Sequence, residues 1–174
     1  MIYRLTTVGR SDLPLIRAWL AAPAVRQWWG DPATAMAGIR DVIKADWAEA
    51  QVAAHHGRPF AYLQWYAAAE EPSGFWRDMP TGTWGMDLLI GDPTMLDRGH
   101  GTALAAQAAA TLLARPAVRR VFVDPDPRNA RAIRCFEKAG FARGETRQSP
   151  EGEILLMTMD GDPAPDGESS PETG

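Results

Sequence analysis

The sequence predicts an α+β fold over residues 1–160, a mixed, mostly antiparallel β-sheet flanked by helices. Three observations carry this. Strand-like runs in the middle of the chain alternate with segments whose apolar residues recur every three or four positions, the helical spacing. The last two strand-like runs, 141–147 and 153–159, are separated by a short turn at Pro150-Glu151-Gly152, so they read as an antiparallel hairpin. Finally, 174 residues with 45% hydrophobic and 23% charged side chains suit one globular body. A chain of this length buries about 70% of its unfolded surface and needs no disulfide or metal to hold it.

The elements follow in order. Ile2 to Thr7 reads as a first strand. Asp12 is placed to cap a helix to about Ala21, with Leu13, Ile16, Trp19 and Leu20 on one face. Asp31-Pro32 starts a second helix, a capping carboxylate followed by proline at the first helical position. Met36, Ile39, Ile43 and Trp47 continue it. His55-His56, before Gly57, read as a helix end, where the dipole favours cations. Pro59 to Ala68 and Trp84 to Ile90 read as strands, joined by a polar loop over 70–82 that Pro and Gly interrupt. A glycine-rich turn at 97–101 opens a helix to about Leu113. Arg119 to Val123 is a strand, and a helix from Arg128 to Ala139 is stopped by Gly140.

Composition excludes several classes of function. One cysteine, Cys135, rules out an internal disulfide and a multi-thiolate zinc cluster. His55-His56 lack further ligands, so no metal is expected. No apolar run approaches the ~20 residues of a membrane span. Met1-Ile2-Tyr3-Arg4 does not open a secretory leader, so a cytoplasmic protein without membrane contact is expected. The net charge of −4 is concentrated at one end, where Asp160, Asp162, Asp166, Glu168 and Glu172 stand without Lys or Arg. The body is therefore nearly neutral and offers no argument for nucleic-acid binding. Residues 161–174 hold no large apolar side chain and are expected to form a disordered acidic tail.

The turn Asp97-Arg98-Gly99-His100-Gly101-Thr102 follows a strand and begins a helix. Its glycines let the backbone approach a ligand closely. The unpaired N–H groups at the helix start, with the dipole behind them, favour an anion such as a pyrophosphate. Arg98 and Thr102 add donors. No Lys-Ser/Thr pair follows, so this is not a Walker loop. Ala105 replaces the third glycine of a dinucleotide fingerprint.

Downstream runs Asn129-Ala130-Arg131-Ala132-Ile133-Arg134-Cys135-Phe136-Glu137-Lys138-Ala139-Gly140-Phe141. Taken with the Arg-Gly-His-Gly-Thr turn, this stretch resembles the second cofactor motif of the GNAT superfamily of N-acetyltransferases. The resemblance covers residues 2–159, most strongly 84–142. It implies the GNAT fold, with the sheet splayed at the cofactor site, and acetyl-CoA as acyl donor. By the same resemblance, pantetheine pairs with the strand backbone at Leu88, Leu89 and Ile90. The pyrophosphate rests on Arg98, Gly99, His100, Gly101 and Thr102. Asn129, Arg131 and Phe136 complete the cofactor set. Among the basic residues Arg115, Arg119, Arg120, Arg128, Arg131 and Arg134, Arg131 is favoured for the CoA 3′-phosphate.

Four stretches more narrowly resemble the aminoglycoside 6′-N-acetyltransferases: Val25-Arg26-Gln27-Trp28-Trp29-Gly30, Tyr62-Leu63-Gln64-Trp65-Tyr66, Gly85-Met86-Asp87-Leu88-Leu89, and Asp124-Pro125 leading to Cys135-Phe136-Glu137-Lys138. This resemblance implies Asp87 as catalytic base or amine-binding group. It implies Trp28, Trp29, Gln64, Tyr66, Asp87 and Asp124 as the acceptor site. One tryptophan of the pair is expected to face it, since adjacent residues point differently. The chemistry agrees: a polycationic sugar needs carboxylates for its ammonium groups and flat faces for its rings, and Glu70, Glu71 and Asp78 add negative field.

The family places a tyrosine where Phe136 stands, and that tyrosine protonates the leaving thiolate. Phenylalanine has no proton to give. A thiolate with a solution pKa near ~8.5 leaves unprotonated at modest cost, so a slower enzyme is expected. The implied partners are a small-molecule amine and acetyl-CoA, with the chain a monomer or homodimer. Two alternatives stand beside this reading. One is an acyltransferase for a hydroxylysine-type siderophore precursor, a related group that shares the Trp-Trp and Asn-Ala-Arg-Ala-Ile-Arg segments but carries His at the place of Asp87. The other is a non-catalytic CoA-binding module, motivated by Phe136.

Overall fold

The computed structural model describes residues 2–161. The tail expected over 161–174 lies outside the described residues, Gly161 apart.

The chain opens with strand β1 (Arg4–Thr7) and three helices, α1 (Leu13–Ala21), α2 (Pro23–Trp29) and α3 (Pro32–Lys44). Strands β2 (Ala48–His55), β3 (Arg58–Ala67) and β4 (Thr83–Ile90) form an antiparallel meander with β1. Then come α4 (His100–Leu113), β5 (Arg120–Val123), α5 (Ala130–Ala139) and the hairpin β6 (Ala142–Ser149) and β7 (Gly152–Asp160). The sheet runs β1-β2-β3-β4-β5-β7-β6 and every pairing is antiparallel except β4 with β5. The expected α+β class with a mixed, mostly antiparallel sheet is what forms.

Period-two alternation sends alternate residues of each strand to opposite faces. Tyr62, Tyr66, Leu89 and Phe122 face α1, α2 and α3. Leu63, Trp65, Met86, Val121 and Val123 face α4 and α5. The helix signals act as read. Asp31 Oδ2 accepts from Thr34 N at 2.9 Å and caps α3. Asn129 Oδ1 accepts from Ala132 N at 3.1 Å and caps α5, and Gly140, at φ 110°, ends it.

Three expectations are corrected. First, α3 stops at Lys44, and its inward face is Met36, Ile39 and Val42. Ile43 is 37% exposed, and Trp47 lies beyond the helix, edge-on to Tyr66. Second, residues 48–55 are a strand rather than a helix continuation. Alanine favours helix in isolation, but here the backbone is paired on both sides, by β1 and by β3. His55-His56 therefore end a strand. His56 (φ 48°) and Gly57 (φ 79°) form the two-residue hairpin turn, whose double positive φ matches the strand twist. Third, Pro23–Trp29 is a separate short helix that puts Trp28 and Trp29 on its last turn.

The sheet opens between β4 and β5. Their pairing ends at Gly85↔Phe122, while β4 continues to Ile90. After Val123, β5 reaches Asp124 and Pro125, which has no N–H to donate. The Pro125 carbonyl instead accepts from Leu155 N in β7 at 2.9 Å. One edge of β4 beyond Gly85 thus has no strand beside it.

Candidate active site

The open edge of β4 forms the floor of a cleft of about 330 Å³. Leu88, Leu89 and Ile90 line it, as expected. Both Trp28 and Trp29 stand on one wall, where a single tryptophan was expected. Phe136 and Cys135 of α5 form the other. Cys135 is half-buried at this wall. Its Sγ accepts a hydrogen bond from Thr102 Oγ1 at 3.7 Å, and burial raises its thiol above the ordinary value.

At the far end the cleft meets the start of α4. Gly99 takes a left-handed conformation (φ 81°) at the N-cap, and Asp97 before it does so too (φ 56°). Gly99, Gly101 and Thr102 line the cleft there, and the first N–H groups of a helix have no partner within it. A side chain at Gly101 would press on Cys135 Sγ at 3.2 Å, so glycine lets α4 and α5 approach. Arg98 is exposed beside this turn. The His100 side chain fills the turn from beneath. It is 8% exposed and lies under the helix, its Nδ1 hydrogen-bonded to the Tyr3 hydroxyl at 2.8 Å, among Phe60 and His55. What His100 can offer a ligand is its backbone.

Ion pairing sorts the basic residues. Arg115 holds Glu49 with two hydrogen bonds, of 2.6 and 2.9 Å, between Trp65 and Trp84. Arg120 pairs with Asp160 and Arg128 with Asp126. Arg131, Arg134 and Lys138 instead line the cleft, along one face of α5 with Asn129 at its cap. The cleft is therefore two-ended. It is apolar with free strand backbone at one end, and cationic with helix amides at the other. It fits an extended ligand with an amide-bearing arm and a phosphate-rich tail.

Beside the cleft, on the face of β4 turned toward α1–α3, lies a carboxylate cluster. Register places Gln64 opposite Asp87, and Gln64 Nε2 donates to Asp87 Oδ2 at 2.7 Å. Burial lifts the Asp87 carboxyl to about 6, against the smaller lowering effect of the Gln64 hydrogen bond. Asp124, just past β5, is raised well above the ordinary carboxylate range, by burial first and then by the charges of Asp87 and Glu151. Both side chains keep some contact with solvent, so they sit deep in a site that a soluble molecule can reach. Tyr66, buried, feels Asp87, Asp124 and Glu71, all of which hold its proton on after burial itself, with Trp76 of the 70–82 loop acting the other way. Trp76 packs on Phe122 with ring centroids 4.3 Å apart.

Gln64, Tyr66, Asp87 and Asp124 are thus brought together. Trp29 joins them to the cleft, edge-on to Tyr62 with centroids 6.1 Å apart. Asp78 does not join; it is held outside by Arg147 at 3.0 Å. Glu151, Trp76 and Tyr62 were not anticipated as part of the site. Tyr62 had a signal, since it stands two residues before Gln64 on the same strand face. Glu151 and Trp76 arrive on loops, where spacing carries no such information.

Residues 9–149 match the family described as "Acetyltransferase (GNAT) domain". The chain is a GNAT acetyltransferase. It is 32% identical over 156 residues to an aminoglycoside N(6′)-acetyltransferase type 1 of Klebsiella pneumoniae, covering 85% of this chain and 78% of that one. A solved structure of AAC(6′)-Ib with paromomycin and acetyl-CoA superposes with a TM-score of 0.84 at 30% identity, over 92% of this chain and 94% of that chain. The acetyltransferase is also 26% identical over 142 residues to a lysine N-acyltransferase of Mycobacterium tuberculosis, spanning 79% of this chain and 68% of that protein. Among the described residues no helix is long and apolar enough to cross a membrane, and no group of three or more His, Cys, Asp or Glu is placed to hold a metal ion.

Proposed function

We propose that this acetyltransferase moves the acetyl group of acetyl-CoA to a primary amine of an aminoglycoside-like, polycationic acceptor. The observation that carries the reading is the Asp87–Asp124 pair beside the open edge of β4, with the charge of Glu151 reaching Asp124 and that of Glu71 reaching the neighbouring Tyr66. A neutral sugar or an anionic acceptor gains nothing from so much negative field; a multiply protonated amine does. The similarity to aminoglycoside acetyltransferases supports it.

Acetyl-CoA fits the cleft on this chain's own features. Leu88, Leu89 and Ile90 offer strand backbone to the pantetheine amides. The α4 start, with Arg98 and Thr102, faces the pyrophosphate, and Arg131 and its neighbours on α5 suit the 3′-phosphate. The donor supplies an activated thioester. Asp87, once ionised, holds the acceptor ammonium and takes its proton, directly or through water, so that the amine attacks neutral. A β4 backbone N–H faces the negative charge that develops on the acyl oxygen. Asp124 and Glu151 hold other ammonium groups and set which amine reaches Asp87.

Phe136 lines the cleft, 8% exposed and packed edge-on to Phe141. It has no proton for the departing sulfur. Phe136→Tyr is expected to raise kcat by about 3- to 10-fold, within the range for one added general acid, with the acceptor KM unchanged; steady-state kinetics check it.

The test of the function is thiol release from acetyl-CoA, with kanamycin, N6-hydroxylysine and spermidine as separate acceptors. Saturable release with kanamycin above the other two is the expected result. Release with hydroxylysine alone would move the acceptor to the siderophore-precursor class, which the similarity to the lysine N-acyltransferase favours. Acetyl-CoA binding without turnover on any amine would support the non-catalytic module.

A further inference from the structure

Tyr62 is fully buried on β3, two residues before Gln64 and on the same face. Its hydroxyl donates to Gln64 Oε1 at 2.6 Å. The other end of that amide, Nε2, donates to Asp87 Oδ2. A glutamine amide has one accepting end and one donating end. With the carbonyl held by the Tyr62 proton, the NH2 end is the one turned to the carboxylate. In the opposite orientation the carbonyl would face a carboxylate oxygen, two acceptors with no proton between them.

Tyr62 remains a donor throughout the working range, because burial and the Asp87 charge both hold its proton on. Trp29 stands edge-on to its ring. The other titratable groups facing Asp87 are Asp124 at the end of β5 and Tyr66 on β3. Glu71 and Glu151 act on those two in turn.

We infer that Tyr62 is a positioning residue for acetyl transfer: by fixing the Gln64 amide it presents an N–H to Asp87, and so sets the orientation and the basicity of that carboxylate. The inference rests on the reading of Asp87 as the group that takes the amine proton. Tyr62 touches neither donor nor acceptor. It acts through Gln64 alone, which makes its effect separable.

The experiment is the pH dependence of kcat/KM for kanamycin, from pH 5 to 8.5, in the full chain and in Tyr62→Phe, Gln64→Leu, the double variant and Asp87→Asn. Tyr62→Phe keeps the buried ring. It is expected to move the acidic limb upward by about 0.5 to 1 pH unit, because a hydrogen bond favouring the charged carboxylate is weakened. The KM for acetyl-CoA stays within about 2-fold, since Tyr62 acts on the amine side only. Gln64→Leu shifts the limb the same way, and the double variant shifts it no further than Gln64→Leu. An unmoved limb in Tyr62→Phe, or an added shift in the double variant, overturns the inference. If Asp87→Asn keeps the original limb, the reading of Asp87 falls and this inference with it. If Asp87→Asn loses activity while Tyr62→Phe leaves the limb unmoved, the inference alone falls.

Discussion

Asp87→Asn is expected to lower kcat/KM for the acceptor by about 10²- to 10⁴-fold, the usual contribution of a positioned base, while raising the melting temperature. Both effects have one cause. The Asp87 carboxyl ionises at about 6, raised from its ordinary value by burial. A folded-state value above the unfolded one makes the protonated form the stable one. The stability this group contributes is full below its unfolded value, near ~4, and is lost as pH rises through 6. Activity runs the other way, because the base works when ionised, so kcat/KM rises through the same window. At neutral pH the enzyme therefore carries a buried charge that folding disfavours. Asparagine has nearly the same shape, keeps an oxygen for the Gln64 N–H, and has no charge to desolvate. It also removes the Asp87 charge that raises Asp124. The gain is about 1 to 3 kcal/mol, or a few degrees at this chain length, roughly 2 to 4 °C per kcal/mol. Thermal melts at pH 5 and pH 8 check it: the difference between Asp87→Asn and the parent should be large at pH 8 and small at pH 5. Equal differences at both would contradict the electrostatic cause. Intact acetyl-CoA binding by the same variant would confine the loss to the amine side.

Gly85→Ala should be the most damaging single methyl group in the site. Gly85 does not need glycine's backbone freedom; it lies within the regular run of β4. Its constraint is space. A Cβ there would sit 2.6 Å from Tyr66 Cε2 and 2.7 Å from Phe122 Cζ. Neither ring has room to retreat, because Tyr66 is 7% exposed and Phe122 is fully buried with Trp76 against it. Overpacking of this kind costs about 1 to 3 kcal/mol, or roughly 2 to 12 °C in melting temperature. The displaced ring is also the one that lies among Asp87, Asp124 and Glu71. Acceptor KM should rise by about 10-fold, equivalent to about 1.4 kcal/mol, with acetyl-CoA KM nearly unchanged. Adding Tyr66→Leu should recover part of the melting temperature by removing one of the two rings the methyl meets, and should leave the acceptor KM high. Recovery of both would mean that Tyr66 is packing alone.

The fold was readable where a local signal and a tertiary demand agree. Asp31-Pro32 and Asn129 begin helices as their chemistry requires, and Gly140 ends one. Residues 48–55 were not readable, because an alanine-rich run becomes a strand through partners that lie elsewhere in the chain. In the site, Asp87, Asp124 and Gln64 came from the resemblance of their stretches to the aminoglycoside 6′-N-acetyltransferases, and the register of β3 against β4 is what sets Gln64 opposite Asp87. The side chain of His100 is drawn under α4 by Tyr3, a contact 97 residues away that nothing in the turn itself announces. Glu151 was hidden on a hairpin tip, whose position depends on how β6 and β7 register rather than on anything near Asp124 in sequence.

The fork between β4 and β5 leaves a strand edge in the interior of the sheet. An edge at the rim is open to any extended chain and invites aggregation. This one is walled by Trp28 and Trp29 on one side and by Phe136 and Cys135 on the other. A polypeptide laid along it would have to place a side chain into one wall or the other at every residue. The pantetheine arm carries amides but no such side chains. The same walls that shape the cleft thus act as a filter. On the proposed binding mode they let the donor complete the sheet as a temporary strand, and they keep the unliganded enzyme from recruiting another protein in its place.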